Sequence, residues 1–239
     1  MLPPIAMALM HRMSSLRPTQ KAVVALCLLL PAPVIGILAS LTLGQVGQFI
    51  WTLMKAWLIA MPVLWLLLID REKLSWSPSS LKGIVVGALW SIPVGCSIWL
   101  LYSYCLESYI DKEGIREQIE LFGLTTPVMF WSFAIMISFG NALMEEYVWR
   151  WFVYSKCKTV AGSMKGIVLA AFFFTAHHVI VIWNFGDVLI VAIGSVAIFF
   201  AGCLWCYLYE TYQSIWPGYI SHVVADLAVF TIAWGMLTS

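Results

Sequence analysis

Long hydrophobic stretches alternate with short polar segments along most of the 239 residues of the chain. Seven of these stretches have, or nearly have, the ~20 apolar residues that an α-helix needs to cross a bilayer. They predict membrane-spanning helices at residues 22–43, 49–69, 83–106, 127–154, 166–183, 188–209 and 215–237. The amphipathic segment 107–123 would add an eighth helix if it entered the membrane. The pattern therefore predicts an all-α, polytopic membrane helix bundle of seven or eight transmembrane helices, folded as a single domain over residues 1–239.

Composition supports this class and excludes others. Hydrophobic residues make up 62% of the chain and charged residues only 10%, with a net charge of +1. A soluble domain is about one quarter charged, so these few charges cannot cover a globule of this size. Intrinsic disorder requires low hydrophobicity and high net charge, which is the opposite composition. The near-neutral charge also argues against nucleic acid as a partner. The expected partner of the surface is the lipid bilayer.

Lysine and arginine predict the orientation, because cytoplasmic loops are enriched in both residues. Ten of the thirteen fall on one side of the predicted bundle: Arg12, Arg17, Lys21, Arg71, Lys73, Lys82, Arg150, Lys156, Lys158 and Lys165. On the other side, Lys112 and Arg116 lie in the mainly acidic segment 107–123, and Lys55 lies close enough to the outer end of the second helix to reach the interface. We expect a cytoplasmic N-terminus, an outer C-terminus and a cytoplasmic loop at 155–165.

Ionisable side chains occur inside three of the predicted helices, where each is costly and is a functional hypothesis by default. They are Glu145, Glu146 and Arg150 in the fourth helix, His177 and His178 in the fifth, and His222 and Asp226 in the seventh. At ~1.5 Å per residue, counted from the polar ends of their helices, all three groups lie at a similar depth. Such agreement favours one shared polar site over scattered structural residues.

Helical geometry separates the two adjacent glutamates. Glu146 and Arg150 are four residues apart on one face, in the favourable orientation for an ion pair. Glu145 points elsewhere and shares its face with Asn141. We therefore expect Arg150 to neutralise Glu146, and Glu145 to need a partner from another helix. The contact of Glu145 with that partner is either part of a catalytic site or a structural contact that only holds helices together.

The histidines offer such partners. His177 and His178 are adjacent, so we expect only one of them to face Glu145, with His178 as the alternative to His177. His222 and Asp226 are four residues apart and share one helix face.

Three motifs resemble those of the CAAX protease and bacteriocin-processing (CPBP, or Abi) family of intramembrane glutamic endopeptidases. Glu145 to Arg150 is similar to its E-E-x-x-x-R motif, Phe173 to His177 to its F-x-x-x-H motif, and His222 to Asp226 to its H-x-x-x-N/D motif. The resemblance covers about residues 126–235. No single motif is specific, but three in the right order are a strong signal together.

The resemblance implies an endopeptidase that works inside the bilayer without a cofactor. Glu145 and His177 would hold and activate a water, with Glu145 as general base and then as proton donor to the leaving amine. His222 with Asp226 would stabilise the oxyanion. Glu146, Arg150 and Asn141 would support the site. The substrate would be a membrane-embedded or lipid-associated peptide or protein segment.

Other classes remain open from the residues alone. One glutamate and two histidines are zinc-ligand types, which allows a metalloprotease, although no H-E-x-x-H motif is present. A catalytically idle scaffold or immunity protein could share the fold, and a proton-coupled transporter also needs buried Glu and His residues. The short chain and the lack of a recognisable eukaryotic targeting signal favour a prokaryotic inner membrane. That location favours a bacteriocin leader, a peptide pheromone or a sorting helix as substrate over a prenylated protein.

The orientation can be tested by cysteine labelling. In a cysteine-free background, Val160→Cys should resist a membrane-impermeant thiol reagent applied to intact cells, because residue 160 is expected to be cytoplasmic. Glu117→Cys is the matched control and should react from outside. Labelling of position 160 from outside would reverse the orientation.

Overall fold

The computed structural model describes residues 13, 15–75, 77–184 and 186–238, and within these residues all the regular structure is helical. Arg12, which contributes to the predicted orientation, lies outside the described residues. Seven helices are long and apolar enough to cross a membrane, and they match the seven predicted spans. In chain order the helices are α1 (Pro18–Thr42), α2 (Gly44–Asp70), α3 (Leu81–Tyr109), α4 (Lys112–Leu121), α5 (Pro127–Ala161), α6 (Ser163–Trp183), α7 (Val188–Tyr212) and α8 (Trp216–Thr238).

The predicted amphipathic segment forms α4, which has only 10 residues. Asp111 caps its first turn by accepting a hydrogen bond from the backbone N–H of Gly114. At ~1.5 Å per residue a helix of this length is about half as long as the hydrocarbon core is thick, so it does not form an eighth span.

The prediction of a loop at 155–165 is wrong. Helix α5 continues to Ala161 and α6 begins at Ser163, so that Gly162 alone separates them, with a φ of +80°. Glycine adopts this backbone region readily because it has no Cβ. The polar residues of this segment suggested a loop, but residues 155–159 lie on the last turns of α5, and Ser163 and Lys165 lie on the first turn of α6. There Lys156 contacts Asp70 at the end of α2 at 2.6 Å.

Helix α5 contains wider turns than an α-helix on both sides of Glu145. Residues Met136–Asn141 and Glu146–Tyr154 are π-helical, with the short α-helical segment Ala142–Glu145 between them. Each π-helical turn holds about one more residue than an α-helical turn, and such turns often occur at functional sites. They alter the angular positions of the polar side chains along α5.

Helices α3 and α8 approach each other at a glycine. A Cβ added to Gly87 would lie 2.5 Å from the carbonyl oxygen of Pro217, so only glycine lets the two backbones pack this closely. Small residues serve the same purpose in many membrane helix contacts. This packing holds the first turns of α8, and with them His222, against the rest of the bundle.

A second contact fixes α2 against α5. The hydroxyl of Tyr147 on α5 donates a 2.9 Å hydrogen bond to the carbonyl oxygen of Ile59 on α2. Because Tyr147 is two residues after Glu145, this contact places the middle of α2 beside the polar part of α5. The fold thus brings α2, α6 and α8 together around the polar part of α5, and Trp205 of α7 packs against the same side chains.

Candidate active site

Every site residue predicted from the sequence lies in one cluster, linked by contacts between side chains. Helix α5 contributes Asn141, Glu145, Glu146 and Arg150, α6 contributes His177 and His178, and α8 contributes His222 and Asp226. Glu145, Glu146, Arg150, His177 and His222 are all buried. The common depth inferred from the sequence is therefore confirmed by direct contacts.

Asn141 and His222 hold the Glu145 carboxylate from two sides. The side-chain amide Nδ2 of Asn141 donates a 2.9 Å hydrogen bond to Oε1 of Glu145. The other oxygen, Oε2, lies 3.6 Å from Nε2 of His222. Glu145 thus meets Asn141 on its own helix, as predicted, and a histidine from another helix.

His222 lies between the two adjacent glutamates. Its Nδ1 is 3.0 Å from Oε1 of Glu146, while its Nε2 faces Glu145 and lies 3.8 Å from Oδ1 of Asp226. An ionised carboxylate only accepts hydrogen bonds, so the contact with Glu146 assigns a proton to Nδ1 of His222. Glu146 therefore orients His222, a task that the sequence analysis did not assign to it.

The predicted ion pair between Glu146 and Arg150 is present and fully buried. Nε of Arg150 lies 3.4 Å from Oε1 of Glu146, and the side chains are 1% and 0% exposed. The guanidinium group also lies over two aromatic rings, 4.4 Å from the centre of Phe174 and 4.9 Å from that of Trp205. Cation–π contacts of this kind are strongest where water is excluded.

Gly218 on α8 makes room for the second oxygen of Glu146. A Cβ at this position would collide with Oε2 of Glu146, so α8 can approach the carboxylate only with glycine here. Position 218 is a site residue that the sequence analysis missed, and its place four residues before His222 is the one signal in the sequence.

The expectation that only one of the two adjacent histidines faces Glu145 is wrong. One ligand atom from each of Glu145, His177 and His178 lies within 4.8 Å of the other two. Nδ1 of His178 is 2.8 Å from the carbonyl oxygen of Phe174 and must donate to it, which leaves Nε2 free. Adjacent residues on a helix point about 100° apart, but long imidazole side chains can converge on a group that lies between those directions.

Tryptophans hold two of the imidazole rings. Trp149 stacks on His177 at 4.9 Å with an interplanar angle of 1°, and Trp205 stacks on His222 at 4.0 Å with an angle of 16°. Both tryptophans are buried. The sequence analysis missed these residues, because tryptophan in an apolar helix carries no sign of stacking on a distant histidine. Stacking restricts the rotation of the imidazoles and so fixes where their nitrogens point.

Lys55 joins the cluster from α2, which corrects its predicted place near the interface. Its Nζ donates a 2.6 Å hydrogen bond to Oδ1 of Asn141. Helix α2 begins at Gly44, five residues before the predicted start, so that Lys55 lies ~16 Å along the helix from its first residue. Its ammonium group is directed at Asn141 in the cluster and not along α2 towards the end of the helix.

The cluster also has the composition of a metal site. Glu145, His177 and His178 are the ligand types that zinc prefers, and a tetrahedral zinc site needs three such groups and a water. The same three groups can hold a water without a metal.

The buried ion pair leads to a test of stability. Glu146→Gln should lower the melting temperature in detergent, because loss of one partner strands the Arg150 charge at a cost of about 3–5 kcal/mol. The double variant Glu146→Gln, Arg150→Met should recover part of that loss. Glu210→Gln is the control, since it breaks the more exposed pair with Lys158, and exposed pairs contribute about 0–1 kcal/mol. An unchanged melting temperature for Glu146→Gln would refute the structural role of the pair.

Comparison with known proteins agrees with the three motifs. Residues 127–228 match the family model described as type II CAAX prenyl endopeptidase Rce1-like. No curated protein and no solved structure matches the chain significantly. The matched segment begins at the first residue of α5 and ends within α8, so it contains every predicted site residue but not Lys55. Residues 127–228 of this integral membrane protein are thus similar to the Rce1-like CAAX proteases, in agreement with the resemblance of its three motifs to the CPBP family.

Proposed function

We propose that the protein is a glutamate-dependent intramembrane endopeptidase. The observation that carries the proposal is the Glu145 carboxylate, which is buried among His177, His178 and His222 and has no arginine within its own contacts among the described residues. The neighbouring Glu146 is paired with Arg150 and is therefore less available as a base. A carboxylate and two imidazoles around one small volume can bind and deprotonate a water.

The proposed reaction begins with a water held between Glu145 and the two histidines of α6. Glu145 takes a proton from this water as the oxygen forms a bond to the carbonyl carbon of the scissile peptide. The carbonyl oxygen becomes an oxyanion. Glu145 then gives its proton to the amide nitrogen, the C–N bond breaks, and the products are a carboxylic acid and an amine.

His222 is proposed to stabilise the oxyanion through Nε2. This role requires a proton on Nε2 in addition to the proton that Glu146 holds on Nδ1. Asp226, at 3.8 Å from Nε2, orients the ring and balances its charge. Groups that are fixed in place before the reaction stabilise a developing charge better than mobile water does.

The location and the substrate follow from the same proposal. We propose one membrane domain over residues 1–239, with the catalytic half at about 126–235, in a prokaryotic inner membrane with the N-terminus in the cytoplasm. Ten of the thirteen lysines and arginines support this orientation. A site buried among membrane-spanning helices fits a membrane-embedded or lipid-associated peptide segment as substrate.

Substitution of the base tests the proposal. Glu145→Gln should lower the turnover of substrate by about 10²–10⁴-fold, the usual contribution of a general base, while the protein still purifies as a folded, monodisperse species. Glu117→Gln on the exposed face of α4 is the control and should keep full turnover.

The substrate for this measurement comes from trapping. Peptides that accumulate in membranes of cells expressing Glu145→Gln, and disappear with the wild-type enzyme, are identified by mass spectrometry and used for the assay. If Glu145→Gln keeps normal turnover while Glu146→Gln is folded but inert, the base is the other glutamate.

A zinc-dependent protease is a second candidate, because three ligand types converge at Glu145, His177 and His178. We expect strong chelators to leave proteolysis in detergent unchanged, since Glu145 and the imidazoles are proposed to activate water directly. Stoichiometric zinc by elemental analysis, together with activity that chelation removes and added zinc restores, would establish the metalloprotease instead.

A further inference from the structure

Lys55 is the one ionisable side chain of the cluster that lies outside the segment matched by the family. It lies eleven residues after the start of α2 and fifteen before its end. A lysine in the middle of a membrane helix is costly because its charge is removed from water. Such a residue needs protein groups that compensate its charge, and among the described residues Lys55 makes one hydrogen bond, to Asn141.

The bond to Lys55 determines which way the Asn141 amide faces. A side-chain amide has an acceptor oxygen and a donor nitrogen, and either could point at a given neighbour. The ammonium group of lysine has three donors and no acceptor, so it can bind only Oδ1 of Asn141. Because Oδ1 of Asn141 accepts from Lys55, the Nδ2 group is left to donate to Oε1 of Glu145 at 2.9 Å.

The position of Lys55 is itself fixed by neighbours. Its Nζ lies 5.4 Å from the centre of the Trp51 ring, one turn earlier on α2, in a cation–π contact. One turn later, Ile59 accepts the hydrogen bond from Tyr147 of α5. Helix α2 is therefore held in register with α5 at the level of Glu145.

We propose that Lys55 is a positioning residue, which acts through Asn141 to hold the Glu145 carboxylate with Oε2 directed at His222 and the water site. This proposal rests on the proposed function of Glu145. The alternative conformation of the amide would present Oδ1 to Glu145, where two acceptors would face each other and the carboxylate would turn away. Lys55 also supplies a positive charge near Glu145 without a direct ion pair, so the carboxylate stays available as a base.

The test is a double-mutant cycle in the full-length protein in detergent. Lys55→Met keeps the length of the side chain but removes its charge and its donors. We expect kcat to fall about 10–100-fold, the effect of a slightly misplaced catalytic group, with little change in KM. Asn141→Ala should have a similar effect. Because Lys55 acts through Asn141, the double variant should be no worse than Asn141→Ala alone.

Two further variants separate positioning from packing. Lys55→Arg keeps a donor-only cation and should recover part of kcat relative to Lys55→Met, whereas Lys55→Gln can offer either an oxygen or a nitrogen to Asn141 and should recover less. Asp70→Asn weakens a different contact between α2 and α5, the ion pair with Lys156 at the far end of α2, and should lower the melting temperature while kcat stays at the wild-type value. Normal kcat in Lys55→Met, or losses that add in the double variant, would overturn the proposal.

Melting temperatures of the same cycle give a readout that does not depend on proteolysis. Coupling between Lys55→Met and Asn141→Ala is expected, because the two side chains are in direct contact. Additive shifts in melting temperature would show that the two side chains do not interact. Coupled stability with an unchanged kcat would overturn only the positioning role. If Glu145→Gln cleaves normally, the proposed function fails, the positioning role fails with it, and the stability cycle still decides the contact.

Discussion

A charge inside a bilayer must be compensated by other protein groups, and the arrangement of the polar helices in this protein depends on that constraint. Glu146 and Arg150 compensate each other on α5, and two aromatic rings complete the surroundings of the guanidinium group. Lys55 of α2 and Glu145 of α5 share the Asn141 amide between them. The same contacts that make these charges tolerable also tie α2, α5 and α8 together, so the site and the fold have common interactions.

The two adjacent glutamates divide their tasks by their partners. Glu146 is enclosed by an arginine, a histidine nitrogen and the backbone at Gly218, and its side chain is fully buried away from solvent. Glu145 is held by one amide and otherwise faces imidazoles. His222 contacts both, so a change at the structural glutamate is transmitted to the proposed catalytic one through a single ring.

The sequence predicts the spans well because apolar length is a property of local residues, and it predicts the Glu146–Arg150 pair because both residues are on one helix. Contacts between helices are harder to predict, because they join residues from distant parts of the chain. Lys55 and Asn141 are far apart in the chain, and no periodicity indicates that they meet. The stacking of Trp149 on His177 could not be predicted for the same reason, since the two residues are on different helices. The expectation that only one of His177 and His178 faces Glu145 is wrong because the direction of the Cα–Cβ bond does not determine where the nitrogens of a long imidazole side chain lie.

The wide turns on either side of Glu145 have a consequence for how α5 can change in length. Each residue of an α-helix advances the side chains by about 100°, so one residue removed between Thr126 and Asn141 would rotate the preceding and following halves of α5 against each other by that amount. A π-helical turn can absorb such a change by reverting to an α-helical turn. The π-helical stretch Met136–Asn141 can therefore absorb the loss of one residue from the part of α5 before it. Glu145 and the first turn of α5, which Thr126 caps by accepting a hydrogen bond from the backbone N–H of Met129, then keep the directions in which they face.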